Sequence, residues 1–106
     1  ATRGGGAFLG DRALRIPSPP PLAEALIATG FAYDAGIRAE QGAAVADMLP
    51  KVRDIRRLGT ASLDLCNLAA GRVDAYAERT LNPWDHAAGG LIVVEAGGVV
   101  VGRHGA

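Results

Sequence analysis

The sequence predicts an α/β layered domain, a mixed or parallel sheet flanked by helices, and three observations carry that prediction. From Leu22 onward, short apolar runs alternate with helix-like stretches, the order expected of a layered α/β unit. Apolar residues make up 49% of the 106 residues against 21% charged, a composition that builds a core rather than a disordered chain. Aromatics are only 5% while glycines number 15, so the layers must close on small side chains. Lys plus Arg equals Asp plus Glu at 11 each, which offers no excess charge to nucleic acid or an anionic membrane. One Cys and two His exclude a disulfide scaffold or a zinc finger. No apolar run approaches the roughly 18–20 residues of a membrane span, and no signal peptide opens the chain. The expectation is a cytoplasmic protein with no nucleic-acid or membrane partner.

Taken in order, Ala7-Phe8-Leu9 and Ala13-Leu14-Arg15-Ile16 flank Gly10-Asp11 and read as a β-hairpin. The glycines before it, Gly4, Gly6 and Gly10, miss dinucleotide-binding spacing by one residue, and no helix pattern follows. Pro17-Ser18-Pro19-Pro20-Pro21 is a stiff connector that cannot enter a sheet interior. Residues 1–16 are therefore expected to belong to the end of a preceding domain, and 17–106 to form a partial C-terminal α/β domain. Ala25 to Thr29, ended by Gly30, reads as a buried strand. Arg38 to Leu49 reads as a helix with a stripe of Ala39, Ala43, Ala46 and Leu49, interrupted by Pro50. Asp54 to Leu58 is a more exposed strand candidate.

Thr60 is a good N-cap for a helix to Ala70, with Gly71 as its stop. Ala61, Leu65, Leu68 and Ala69 share one face while Leu63, Cys66 and Ala70 fill much of the other. That predicts a helix buried between two layers, with Cys66 as a small core residue. Val73 to Glu78 alternates with period two and places Asp74, Tyr76 and Glu78 on one strand face. Asp85 sits where an N-cap belongs, the helix runs through Ala96, and Gly97-Gly98 ends it. Val99-Val100-Val101 predicts a last buried strand, with Arg103 to Ala106 trailing after it. The absence of an initial Met and the stop just after a strand suggest a piece of a longer polypeptide.

Ligands of open α/β sheets bind outside the carboxyl ends of the strands, where helix N-termini point inward. Gly59-Thr60-Ala61, Glu78 and Asp85 all fall at such places. Gly59-Thr60-Ala61 offers backbone N–H groups and a hydroxyl, although capping a helix needs the same residues. Glu78 can accept from a polyol or sit in solvent. Asp85 can cap its helix or ligate a hard cation such as Mg²⁺.

Trp84-Asp85-His86-Ala87-Ala88-Gly89, followed by Glu95-Ala96-Gly97-Gly98, resembles the second signature of the inositol monophosphatase family. Arg56 to Cys66 and Ala69 to Glu78 resemble the segment before it without a gap. Gly6-Ala7-Phe8 and Ala28-Thr29-Gly30-Phe31 extend the likeness over nearly the whole chain. The resemblance implies the C-terminal part of a sugar-phosphatase fold of αβαβα layers, incomplete in this chain and usually homodimeric. It implies a Mg²⁺-dependent, lithium-sensitive phosphomonoesterase acting on inositol monophosphate or a similar polyol or sugar phosphate through metal-activated water. By the same resemblance, Asp85 is catalytic, binding Mg²⁺ and lying close to the substrate ring. Glu78 accepts from substrate hydroxyls, and Gly59, Thr60 and Ala61 line the ring. Trp84 is expected to pack behind Asp85.

The family's first signature, D-P-[LI]-D-G-[ST], and its Glu-Glu segment occur nowhere here. One carboxylate holds Mg²⁺ poorly, so the chain alone is expected to be inactive. A second reading is a non-catalytic dimerisation or interaction module. An unrelated nucleotide-binding domain is disfavoured by the failed glycine spacing. Fructose bisphosphate, histidinol phosphate and adenosine bisphosphate are the substrates of close relatives.

Overall fold

A strand buried on both faces sits at the centre of the domain. The computed structural model describes residues 1–102. The hairpin is formed by β1 (Phe8–Leu9) and β2 (Arg12–Ala13), with Phe8 opposite Ala13. Gly10 turns the chain at φ +60, a backbone conformation that favours glycine. After the proline connector and a 3₁₀ turn at Leu22–Glu24 come β3 (Leu26–Thr29), α1 (Ala35–Met48) and a second 3₁₀ turn at Leu49–Lys51. They are followed by β4 (Asp54–Arg56), α2 (Ala61–Ala69), β5 (Ala75–Ala77) and α3 (Pro83–Glu95).

The sheet is parallel with strand order β4-β3-β5. From β3 the chain crosses to β4 on one side, then over β3 to β5 on the other. Crossovers of one hand that run in opposite directions must lie on opposite faces of the sheet. On one face Met48 and Val52 pack over Ala25 and Ile27. On the other, Leu68 of α2 packs against Leu26, Ala28 and Val73. The arrangement is three layers, with the strand order reversing between β3 and β5.

Small side chains set the spacing of the outer layer. Ala7, Leu65, Ala69, Val93 and Ala96 form one buried cluster, which joins the hairpin to α2 and α3. A Cβ built on Gly89 would stand 2.8 Å from both Cβ and Cδ1 of Leu65, so α3 approaches α2 more closely than an alanine would allow. The glycine run at the start of the chain has a structural use. Gly4 and Gly6, at φ +77 and +85, aim their N–H groups at the Glu95 carboxylate, 3.0 and 2.9 Å away. These two hydrogen bonds hold the Glu95 carboxyl below its usual range.

Five expectations need correction. Val99, Val100 and Val101 form no strand and are 82%, 50% and 61% exposed. Sheet pairing is a tertiary decision, and no described strand lies beside them to accept their backbone groups. In α1 the inward residues are Ile37, Gln41, Val45 and Met48, while Ala39, Ala43, Ala46 and Leu49 face out. The larger side chains bury more apolar surface, and Gln41 turns in because its Oε1 accepts from the Ala32 N–H at 3.0 Å. The helix also begins earlier than expected, because the Asp34 carboxylate caps it by accepting from Ile37 N–H. In α2 the other face is not filled as expected: Leu63 is exposed and Cys66 is half-buried, while Asp64, at 1% exposure, is nearly as enclosed as Ala69. In α3 the cap residue is Asn82 and Asp85 lies three positions inside, because Pro83 at the first helical position presets the helical φ. Residues 103–106, expected to trail the last strand, lie outside the described residues.

Candidate active-site groove

The carboxyl ends of the strands open into a groove of about 430 Å³. Gly59, Thr60, Ala61, Glu78 and Asp85 all line it, together with Gly30 and Phe31 beyond β3, and Arg57 and Trp84. It occupies the side of the sheet where the strand order reverses, the usual ligand address of such sheets. Residues from four separate segments thus meet in one place.

Glu78 follows β5 and is fixed from two sides. The Tyr76 hydroxyl donates to Glu78 Oε1 at 2.6 Å. A Cβ on Gly30 would meet the same carboxylate, its Cδ standing 2.5 Å away, so only glycine leaves room for it. Burial, the bond to Glu78 and the neighbouring Asp64 and Asp85 charges all push the Tyr76 hydroxyl far above its ordinary value. Tyr76 therefore keeps its proton and donates it in a hydrogen bond to Glu78, whose Oε2 makes no hydrogen bond among the described residues. Between Glu78 and Asp85, Thr80 is held at φ +63, a strained setting for a β-branched residue on a groove wall.

Asp85 is both a helix brace and a groove residue. Its Oδ2 accepts from the Asn82 N–H at 2.9 Å, tying the first turn of α3. Oδ1 makes no hydrogen bond among the described residues. Thr60 stands at the N-cap position of α2, but its hydroxyl bonds the Ser62 hydroxyl at 3.2 Å rather than the helix backbone. Gly59, at φ +91, makes the turn before it. Trp84 is 79% exposed at the mouth of the groove, which corrects the expectation that it packs behind Asp85. At the second position of a helix whose inner face is filled by Gly89 and Val93, its ring points outward.

Metal binding asks for more than this groove contains. Mg²⁺ takes six oxygens in near-octahedral geometry and is held by carboxylates plus substrate phosphate. Among the described residues no group of three His, Cys, Asp or Glu side chains is placed to hold a metal ion. Asp85 Oδ1 has the right chemistry for one ligand, and alone it does not make a Mg²⁺ site.

The sequence reading missed Asp64. It is 1% exposed, and neither carboxylate oxygen has a hydrogen-bond partner among the described residues. Burial raises its pKa first and the Glu78 charge adds to that, with Arg57 opposing. A charged residue four positions after the helix cap, amid apolar ones, was a visible signal. A folded-state pKa above the unfolded value means stability is fully present below the unfolded pKa and falls as pH rises through the folded one. Asp64→Asn, which removes the buried charge, should thus gain stability relative to the native protein as pH rises from 3 to 7. Thermal unfolding across that pH range checks this, and an equal change at both ends would refute it.

A profile of the inositol monophosphatase family matches residues 1–106. An inositol-1-monophosphatase of Mycobacterium leprae is 53% identical over 91 residues, covering 86% of this chain and 31% of the relative. A Neisseria meningitidis protein named putative Nus factor SuhB is 47% identical over 106 residues, covering 99% of this chain and 41% of its own length. The solved structure of Mycobacterium tuberculosis SuhB superposes with a TM-score of 0.90 at 46% identity, covering 99% of this chain and 44% of that one. The chain thus spans under half the length of these relatives.

Proposed function

The chain belongs to the inositol monophosphatase family, and from that premise we propose that the complete protein carrying it hydrolyses a phosphomonoester of a small polyol, inositol monophosphate foremost. The 106 residues supply the side that recognises the ring. The observation that carries this reading is the meeting of Gly59, Thr60, Ala61, Glu78 and Asp85 in one groove. Glu78, braced by Tyr76 and Gly30, presents a carboxylate whose free oxygen suits a donor hydroxyl of the polyol. Gly59, without a side chain, lets the ring approach the backbone closely. These contacts bind and orient the ester, which is what positioning contributes to phosphoryl transfer.

Asp85 contributes one carboxylate oxygen toward Mg²⁺, and the other ligands come from segments beyond these residues. The chain on its own is therefore inactive. The test compares the complete protein with the 106-residue chain on inositol 1-phosphate, with and without Mg²⁺. Phosphate release by the complete protein only, and only with the metal, is expected. Release by the short chain would overturn the division of labour, and no release by the complete protein would overturn the assignment. We further propose a homodimer as the working assembly, in keeping with the family resemblance. Net charge is zero, which gives no independent support to nucleic-acid binding here.

A further inference from the structure

One residue on the groove wall is held in a backbone setting that its own side chain opposes. Thr80 has φ +63, and every other positive φ among the described residues belongs to one of six glycines. A left-handed backbone brings Cβ too close to the following carbonyl, and a β-branched residue tolerates this least. Gly59, also a groove residue, makes its left-handed turn without a side chain. At Thr80 the setting is imposed from both sides. Glu78 is bonded to Tyr76, and Arg79 pairs with Glu40 of α1. Asn82 is tied to Asp85 in the first turn of α3. Only Thr80 and Leu81 remain to join these two anchored ends, and the left-handed turn at Thr80 makes the join.

Glycine or asparagine would make the same turn with less strain. What threonine adds is a side chain on the wall formed by Glu78, Leu81, Asn82 and Asp85, all of which line the groove with it. Its hydroxyl donates to the Arg79 carbonyl at 2.6 Å, so that proton is not offered to a ligand. The side chain contributes bulk and an acceptor oxygen. Glu78 and Asp85 supply acceptors already, so bulk is the property that Thr80 alone brings to this wall. Strain of this kind persists where the surrounding structure over-determines it, and such positions cluster at ligand sites.

We infer that Thr80 is a specificity-determining residue: its side chain narrows the groove along the Glu78–Asp85 wall, so that a compact polyol ring is accepted and a bulkier phosphomonoester is disfavoured. This deepens the phosphatase reading and rests on it. The test uses the complete protein with inositol 1-phosphate and adenosine 2′-monophosphate as the compact and the bulky probe. Both kcat/KM and, by calorimetry, Kd are measured. The native protein should prefer the inositol ester. Thr80→Gly, which removes both side chain and strain, should lower that preference about tenfold, within the range that one methylene-sized group discriminates. Thr80→Asn, which relieves the strain but keeps the bulk, should hold the preference and melt at a higher temperature than the native protein. No preference in the native protein overturns the proposal, as does a preference that Thr80→Gly leaves unchanged. An equal loss in both variants overturns it too, since the backbone setting and not the side chain would then govern selection. Failure of the phosphatase reading is distinguishable: neither ester would be cleaved, while the ratio of calorimetric Kd values would still support or overturn the role of Thr80.

Discussion

Asp85→Asn in the complete protein is expected to lower kcat/KM for its phosphomonoester by at least about 100-fold, the scale on which metal and ligand-orienting contacts act. The amide keeps the shape of the carboxylate and its oxygen can still accept from Asn82 N–H, so the brace on α3 survives. Melting temperature should move little, since a cap exchange of this kind costs about 1 kcal/mol or less. The variant is thus a clean separation of fold from chemistry. Near-normal turnover at saturating Mg²⁺ would remove Asp85 from the metal site. A collapse of the fold would show that its helix role dominates, and circular dichroism reads that directly.

The second large effect is on stability. Gly89→Val should destabilise the protein by about 3 kcal/mol, because the added side chain meets Leu65 where α2 and α3 are closest. That is a large share of the roughly 5–15 kcal/mol a domain has in hand. The neighbouring Gly90 is the internal control: nothing lies within 4 Å of a Cβ there, so Gly90→Val should cost little. Chemical denaturation of both variants decides the matter. Equal losses would mean that helix propensity, not the α2–α3 contact, governs the effect.

These two positions also mark how far the sequence could be read. Glycine punctuation, the proline connector and period-two or helical spacing are local signals, and they located the hairpin, all three helices and the three parallel strands. What failed were particular inferences about which neighbour a segment would meet. Val99–Val101 has strand composition, but a strand exists only where another offers its backbone. The alanine stripe of α1 had a plausible period, yet Ile37, Val45 and Met48 bury more surface and took the inner face. Asp64 drew no reading from the sequence, and it is buried with no hydrogen-bond partner among the described residues.

The site divides in the same way. Residue identity and order along the chain determined that Gly59, Thr60, Ala61, Glu78 and Asp85 were the groups to watch, since chemistry lives in side chains and their motifs. The strand-end positions already placed them at one edge of the sheet, and only the tertiary structure decided that Tyr76 and Gly30 hold Glu78 in the groove and that Phe31 gathers Arg38 and Arg57 beside it. These contacts join residues brought together by the crossing of the chain over β3, and such proximity has no signature in a linear sequence.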